Sequence, residues 1–250
     1  ILAFGSQLVH GSVGLNAAER VYAAHGVHAL RIPTIVLSVM PHYPNVHHVD
    51  IESGWIADTL NDLVSIGATE DLELVTGGYF TAPAQVEALG RWYSAHPEGG
   101  RPTLVLDPTL GDVEVGFYTD PALAAAFQKH LIPHATGMTP NLFELAHLTG
   151  QHPEKLDTLE IIEAAARSLF SEATQWVVVT GIEMQQDAET IAEMVVTRDG
   201  ARLHRHPKLR TAAKGLGDTF TAALNVTLLR GEALDDAVDF AAAEVRLRAE

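Results

Sequence analysis

The chain contains no cysteine, and 32 aspartates and glutamates outnumber its 16 lysines and arginines in 250 residues. Without cysteine it has neither a disulfide framework nor a thiolate metal site. The formal charge of -16 argues against a nucleic-acid partner, because phosphate backbones need clustered basic residues. No apolar run reaches the roughly 20 residues that span a bilayer, so we expect a cytoplasmic protein with no membrane partner. The chain opens on Ile1, and we expect a leading segment to have been removed or left out.

Two common catalytic signatures are also missing. The Walker pattern of a P-loop does not occur, which excludes the ordinary P-loop route to ATP. Ser6 lacks the Gly-x-Ser-x-Gly elbow of a hydrolase nucleophile. Thirteen histidines include the adjacent pair His47 and His48, but no third ligand stands at a metal-site spacing. We therefore predict no transition-metal site.

The length and the 47% hydrophobic content suit a single α/β domain over residues 1–250. Short apolar runs alternate with amphipathic stretches, which is typical of a mostly parallel sheet with helices between the strands. The strand candidates are Ile1–Phe4, Ala29–Leu37, Leu72–Thr76, Thr103–Leu106 and Trp176–Val179. The helix candidates are Asn16–His25, Ile51–Ile66, Ala82–His96, Asp120–Leu131, Asn141–Leu148, Thr158–Phe170, Asp218–Leu229 and Leu234–Arg248. Residues 194–209, with a turn at Arg198–Gly200, predict an antiparallel hairpin at one sheet edge.

Ligands of such sheets bind outside the carboxyl ends of the strands, so the polar residues after each run are candidates for one cleft. These residues are Ser6, Ser38, His42, Gly77–Tyr79, Asp107, Asp112 and Thr180–Gly181. The most irregular stretch, Pro41–Asp50, is a candidate lid.

The segment Lys214–Thr221 carries the most information about chemistry. Gly215 and Gly217 let the backbone approach a phosphate, and the first turn of a helix leaves amide hydrogens unpaired. Asp218 stands where it can accept a proton from a hydroxyl while those amides hold the developing charge. The alternative is a loop in which Asp218 only caps the helix.

Two acidic clusters fit the oxygen ligands that Mg²⁺ prefers in phosphoryl transfer. Asp107 and Asp112 form the first, and Glu144 belongs to the second. Each has a structural alternative. Asn141 followed by Glu144 reads as a helix cap with a reaching glutamate, and Asp112 reads as a turn residue.

Taken in order, the motifs resemble the pyridoxal/pyridoxine kinases of the ribokinase superfamily over nearly the whole chain. The motifs are Gly5–Gln7 with His10–Gly14, Pro33–Thr34 with Ser38 and Pro41–Tyr43, Asp107–Pro108 with Gly111–Asp112, Gly116 and Tyr118, Thr139–Asn141 with Phe143–Leu145 and Leu148–Gly150, Trp176–Thr180, and Lys214–Asp218. The resemblance implies a ribokinase-like three-layer α/β/α fold with a central mostly parallel sheet and an antiparallel edge hairpin. It also implies a homodimer.

The same resemblance implies ATP-dependent phosphorylation of the 5'-hydroxymethyl group of pyridoxal, pyridoxine or pyridoxamine, with Mg²⁺ and a monovalent cation as a further candidate. Asp218 would be the catalytic base, with Gly215 and Gly217 as the anion hole. The residues implied for the vitamin are Ser6, Thr34 and His42. Those implied for ATP are Asp112, Thr139, Thr180, His206, Pro207, Lys208, Leu209 and Lys214, and those for the metal are Asp112, Tyr118 and Glu144.

The chain departs from the family pattern at several positions. Leu15 and then Asn16 follow Gly14, where the family has Asn directly, and the lid carries Pro44–Asp50 in place of small residues. The chain also ends at Glu250, earlier than expected for the family. Two alternatives therefore stay open, a hydroxymethylpyrimidine kinase of the same fold and a vitamin- or nucleotide-binding homologue with impaired turnover.

Overall fold

The computed structural model describes residues 1–184, 187–209 and 211–249. The strands are β1 (Leu2–Leu8), β2 (Leu30–Leu37), β3 (His48–Asp50), β4 (Leu74–Gly77), β5 (Thr103–Leu106), β6 (Gly111–Asp112), β7 (Gly116–Phe117), β8 (Gly137–Met138), β9 (Trp176–Met184), β10 (Asp187–Thr197) and β11 (Ala201–Pro207). The helices are α1 (Leu15–Ala24), α2 (Ser53–Ser65), α3 (Pro83–Ser94), α4 (Ala122–His130), α5 (Leu142–Leu148), α6 (Leu159–Ser168), α7 (Leu216–Leu229) and α8 (Leu234–Ala249).

Nine strands form one sheet in the order β11-β10-β9-β8-β5-β4-β1-β2-β3. The strands from β9 to β2 run parallel to one another. The hairpin of β10 and β11 closes one edge in antiparallel fashion, and β3 closes the other. The predicted mostly parallel sheet with an edge hairpin is confirmed, and the antiparallel strand β3 is an addition to it.

Alternating side chains of the strands enter two separate cores, one on each face of the sheet. In β1, Leu2 and Phe4 pack with α2 to α6, whereas Ala3 packs with α1, α7 and α8. In β9, Val177 and Val179 face the first group of helices and Val178 the second. This arrangement is the predicted three-layer α/β/α fold.

Several predicted boundaries are wrong. Because β1 continues past Phe4 to Leu8, Ser6 lies within the strand and not after it. The candidate lid contains β3, which the sequence pattern missed because all three of its residues are exposed. The edge hairpin begins at Asp187 and not at residue 194, since the first residues of β10 are exposed and carry no apolar alternation. The predicted turn is confirmed by the bond from the Thr197 amide to the Gly200 carbonyl, 2.8 Å.

The two-residue strand β8 was also missed. Gly137 has no side chain to contribute to a pattern, and a Cβ placed on it would lie 2.0 Å from the Trp176 ring. Glycine is therefore needed where the indole covers the sheet. Within the described ranges, no helix is long and apolar enough to cross a membrane.

Candidate active site

The start of α7 lies against the loop between β1 and α1. Gly215 is the residue before the helix and adopts a left-handed conformation with φ of 80°. A Cβ at Gly215 would lie 2.1 Å from the Ser12 carbonyl oxygen, so only glycine allows this approach. Asp218 stands in the first turn of the helix, and the alternative that it caps the helix is wrong.

The first turn of α7 offers backbone amides to a ligand. The first bond of the helix runs from the Thr219 amide to the Gly215 carbonyl, 3.0 Å. The amides of Leu216 and Gly217 precede that bond and point out of the helix start. A Cβ on Gly217 would meet no atom within 4 Å, so space is open at this position. Unpaired amides and the positive end of the helix dipole together suit an anion.

The Asp218 carboxylate lies beside these amides. Burial raises its pKa above the ordinary value, and hydrogen bonds from the Gly14 amide and from its own amide act in the opposite direction. Gly14 has φ of 56°, and a Cβ there would meet the Ser6 hydroxyl oxygen at 2.2 Å. The glycine therefore lets the chain fold over Ser6 and direct an amide at the carboxylate.

A second carboxylate, Asp107, follows β5 and lies close enough to Asp218 for their charges to interact. Its pKa is raised to about 7, first by burial and then by the negative charge of Asp218. The Thr221 hydroxyl donates to Asp107 Oδ2 across 3.1 Å and favours the charged form. Thr139 extends this network, since its hydroxyl lies 2.9 Å from that of Thr221.

Glu144 adds a third carboxylate, and unlike the two partly buried aspartates it is fully buried. It forms a capping box with Asn141 at the start of α5, as the structural alternative predicted. Its oxygens accept from the amides of Asn141, 2.9 Å, and Leu110, 3.1 Å. Burial raises its pKa well above the ordinary value, and the charge of Asp107 adds to the shift. Asp107, Asp218 and Glu144 thus concentrate negative charge at the carboxyl ends of the strands.

Asp112 has the structural role that its turn position suggested. It belongs to the small hairpin of β6 and β7, where its carboxylate accepts from the Val115 amide at 2.7 Å. The Tyr118 hydroxyl donates to its other oxygen. The two residues predicted at the metal and nucleotide region therefore contact each other on one exposed hairpin.

Thr34, one of the predicted contacts of the vitamin, holds a neighbouring segment of the backbone. Thr34 is fully buried and donates to the Tyr79 carbonyl at 2.6 Å. Gln85 donates to the carbonyls of Thr34, 2.8 Å, and Ile51, 2.6 Å. Sequence reasoning missed Gln85, and a polar residue among the apolar positions of α3 is the signal that could have identified it. Thr34 thus positions the Tyr79 segment.

The sequence model of the phosphomethylpyrimidine kinase family matches residues 10–248. The chain belongs to this family. It is 40% identical over 248 residues to the pyridoxine/pyridoxal/pyridoxamine kinase of Bordetella bronchiseptica, and the match covers 98% of this chain and 86% of that one. These two matches confirm the prediction that the chain is a kinase of the ribokinase superfamily.

Two solved structures share the fold of this family member. Pyridoxal kinase from Entamoeba histolytica matches with a TM-score of 0.88 at 21% identity, covering 98% of this chain and 86% of that one. Pyridoxal kinase from Leishmania donovani in complex with ADP and pyridoxamine matches with a TM-score of 0.88 at 24% identity, covering 98% and 87%. The predicted ribokinase-like fold is therefore confirmed.

Other predicted ligand residues of this family member line a second cavity or lie in β9, β11 and the segment after β11. His42 and Lys214 line a second cavity, which shares no described lining residue with the space around Asp218 and Asp107. His206 lies in β11 with its Nε2 atom 3.0 Å from Oε2 of Glu193, and among the described residues neither atom has a well-aligned hydrogen-bond partner. β11 ends at Pro207, and Lys208 and Leu209 follow it. The Nζ atom of Lys208 pairs with the Glu183 carboxylate at 2.6 Å. The Thr180 amide donates to the Pro140 carbonyl at 3.0 Å.

The carboxylates fit a divalent cation bound together with phosphate. Across residues 1–184, 187–209 and 211–249, no three His, Asp or Glu side chains are arranged to enclose a metal ion. Mg²⁺ usually takes only one or two protein carboxylates and completes its shell with waters and phosphate oxygens. Asp107 and Glu144 supply such a pair, since the charge of Asp107 acts on Glu144 and raises its pKa. The donor set is therefore suitable.

Proposed function

We propose that this protein transfers the γ-phosphoryl group of ATP to the 5'-hydroxymethyl group of pyridoxal, pyridoxine or pyridoxamine. The observation that carries the proposal is the partly buried Asp218 carboxylate near the amides of Leu216 and Gly217, which have no hydrogen-bond acceptor among the described residues. The 40% identity to a pyridoxine/pyridoxal/pyridoxamine kinase supports the choice of vitamin. The ADP and pyridoxamine bound to the Leishmania donovani enzyme support the same pair of substrates.

Asp218 acts as the base in this reaction. As the 5'-oxygen attacks the γ-phosphorus, its proton passes to the carboxylate and the bond to the ADP oxygen breaks. Burial raises the pKa of Asp218, which makes the carboxylate a stronger proton acceptor than an exposed one. The hydrogen bond from the Gly14 amide holds the carboxylate in place and favours its charged form.

The amides of Leu216 and Gly217 stabilise charge on the transferring phosphoryl group. They are held in place before the substrate arrives, because Gly215 packs against Ser12. Donors that need no rearrangement stabilise a transition state more than donors that must turn toward it. The open space beside Gly217 leaves room for the phosphate oxygens.

Asp107 and Glu144 would hold Mg²⁺, with Asp112 and Tyr118 at the outer edge. The bound ion would neutralise charge on the phosphates of ATP and align them. Thr221 orients Asp107 for this task through its 3.1 Å hydrogen bond. Thr139, Thr180 and Lys214 with the segment His206–Leu209 remain our proposed contacts of ATP, and Ser6, Thr34 and His42 those of the vitamin. A monovalent cation stays a prediction.

The family name favours a second candidate, phosphorylation of hydroxymethylpyrimidine. That substrate is also a flat heteroaromatic ring with a hydroxymethyl group, so the same base and anion hole suit it. A homologue with impaired turnover is the third alternative from the sequence. The network around Asp218 supports an active enzyme, since a binding protein needs no carboxylate base beside amides that can hold a phosphoryl group.

A substrate panel tests the proposal. The protein is mixed with MgATP and, separately, with pyridoxal, pyridoxine, pyridoxamine and hydroxymethylpyrimidine, and ADP release is measured. We expect turnover with the three vitamers. Turnover with hydroxymethylpyrimidine alone would move the assignment to the second candidate, and no turnover with any substrate would favour the impaired homologue.

Three further predictions belong to this proposal, namely a single domain, a homodimer and a cytoplasmic location. The nine-stranded sheet draws strands from both ends of the chain, which supports one domain over residues 1–250. A homodimer and a cytoplasmic location follow from the sequence and its resemblance, and they stay predictions.

A further inference from the structure

The strand β2 contains an irregularity at Thr34. Pro33 pairs with Gly5 of β1, but the next pair along the two strands joins Ile35 to Ser6, so Thr34 has no partner in β1. An extra residue of this kind is a β-bulge, which bends the strand and turns a side chain away from its regular direction. The relative position of Ser6 and Thr34, two of the proposed vitamin contacts, therefore depends on this bulge.

The side chain of Gln85 satisfies the backbone around the bulge. Gln85 lies in α3 and is 1% exposed. Its Nε2 atom donates to the carbonyl oxygen of Thr34 at 2.8 Å and to that of Ile51, directly after β3, at 2.6 Å. Its Oε1 atom accepts from the Thr81 amide at 2.8 Å. One side-chain amide thus uses both of its hydrogens and its oxygen to join three segments that are distant in the sequence.

Two further hydrogen bonds connect the same segments. The Ile51 amide donates to the Thr34 carbonyl at 3.1 Å, so this carbonyl accepts two hydrogen bonds. The Thr34 hydroxyl donates to the Tyr79 carbonyl at 2.6 Å. Tyr79 precedes Thr81 by two residues. The backbone after β4 is therefore held at two points, by Thr34 at Tyr79 and by Gln85 at Thr81.

Tyr79 connects this network to the candidate lid. Tyr79 and Val46 of the lid both pack against the buried side chains of Ile35 and Leu37. The Tyr79 hydroxyl also donates to the Tyr118 carbonyl, beside the hairpin of β6 and β7, across a long 3.5 Å. The place of the Tyr79 ring thus depends on backbone that Gln85 holds, and it affects the lid and the hairpin together.

We propose that Gln85 is a positioning residue for the vitamin: it fixes the bulge at Thr34 and the backbone at Thr81, and through Ile51 it couples both to β3. Gln85 is buried and acts through these backbone contacts without touching the substrate. The proposal rests on the proposed function for the identity of the ligand. Among the described residues, none of the proposed ATP contacts bonds to Gln85, so its loss should affect the vitamin and not ATP.

The variant Gln85→Met tests the proposal, because methionine has a similar length and cannot form these hydrogen bonds. Gln128→Met is the matched control, since Gln128 is a glutamine of α4 whose Nε2 atom donates to a single backbone carbonyl, that of Leu148. Gln85→Glu is a milder second variant for the case that Gln85→Met does not fold. It keeps an acceptor for the Thr81 amide, but a carboxyl group has at most one hydrogen and cannot donate to both carbonyls.

Hydrogen–deuterium exchange without any ligand measures the coupling of the segments. In Gln85→Met we expect exchange about tenfold faster in both segments 48–51 and 79–81, as the loss of a hydrogen bond implies, with the strands β9 and β10 unchanged. Gln128→Met should match the wild type in both segments. Unchanged exchange in either segment, or equally faster exchange throughout the chain, would overturn the proposal.

Steady-state kinetics measures the effect on the two substrates. We expect the KM for pyridoxal to rise about tenfold in Gln85→Met, with kcat and the KM for MgATP within about twofold of the wild type. A merely structural role would lower kcat through the fraction of folded enzyme and would leave both KM values unchanged. That result, or an equal rise in both KM values, would overturn the proposal. Absence of turnover in the wild type would contradict only the proposed function, and the exchange measurement would then decide whether Gln85 couples the two segments.

Discussion

Thr221 donates its hydroxyl hydrogen to the Asp107 carboxylate across 3.1 Å and so joins α7 to the end of β5. Asp218 precedes Thr221 by about one helical turn, so both side chains lie on the same face of α7. One helix therefore supplies the proposed base and also fixes the carboxylate that faces it. This hydroxyl therefore helps to set the relative position of the two acids.

Replacement of Thr221 by valine removes this hydrogen bond and keeps the shape of the side chain. The bond favours the charged form of Asp107, so its loss raises the pKa of Asp107 further above about 7. We expect the acidic limb of the kcat/KM profile to move to higher pH. The free energy of unfolding should fall by about 1–2 kcal/mol.

Thr227→Val provides the control, because the Thr227 hydroxyl is buried in the same helix but donates to the carbonyls of Ala223 and Leu224. Its pH–rate profile should match that of the wild type. A profile that moves equally in both variants would show that Thr221 contributes only to the stability of the helix.

The two glycines of the anion hole should differ in their response to alanine. At Gly215 a Cβ meets the Ser12 carbonyl at 2.1 Å and the backbone is left-handed, so Gly215→Ala should cost at least about 2 kcal/mol and lower kcat/KM. Gly217→Ala meets no atom and should leave the melting temperature within about 3 °C of the wild type. Differential scanning calorimetry with steady-state kinetics compares the two. An equal fall in melting temperature in both variants would contradict the close packing of Gly215 against the loop between β1 and α1.

A pH-dependent stability term should come from Glu193 in β10. Burial raises its pKa from 4.5 to about 7, while the charge of His204 acts in the opposite direction. Folding therefore favours the protonated form. The stability from this group is complete below the unfolded pKa of 4.5 and is lost as pH rises through about 7.

Glu193→Gln cannot ionise and should not lose this stability. We expect the variant to gain up to about 3 kcal/mol relative to the wild type between pH 5 and pH 8. Urea unfolding at both pH values measures the difference, with the exposed Glu154→Gln as control. A difference that does not change with pH would mean that Glu193 ionises normally in the folded protein.

The fold could be predicted from the sequence wherever one face of an element is apolar. The parallel strands other than β8 and all the long helices show the required period, and the turn at Arg198–Gly200 was specified by its residues. The strands β3 and β8 could not be predicted. The first is exposed on every residue, and the second is two residues long with a glycine under Trp176.

The candidate site was predicted best where the backbone alone determines it. Gly215, Gly217 and Asp218 are adjacent in sequence, so their proximity required no knowledge of the fold. The pairing of Asp107 with Thr221 joins residues 114 positions apart and depends on how α7 crosses the sheet. The placement of His42 and Lys214 in a separate cavity likewise depends on the path of two loops.

The most direct test of the account is turnover by Asp218→Asn, which keeps the size of the side chain and removes the base. ADP release with MgATP and pyridoxal gives kcat, and calorimetry gives the affinity for each substrate. The account predicts that kcat falls by at least about 100-fold while both affinities change little. A kcat within about tenfold of the wild type would contradict the assignment of Asp218 as the base.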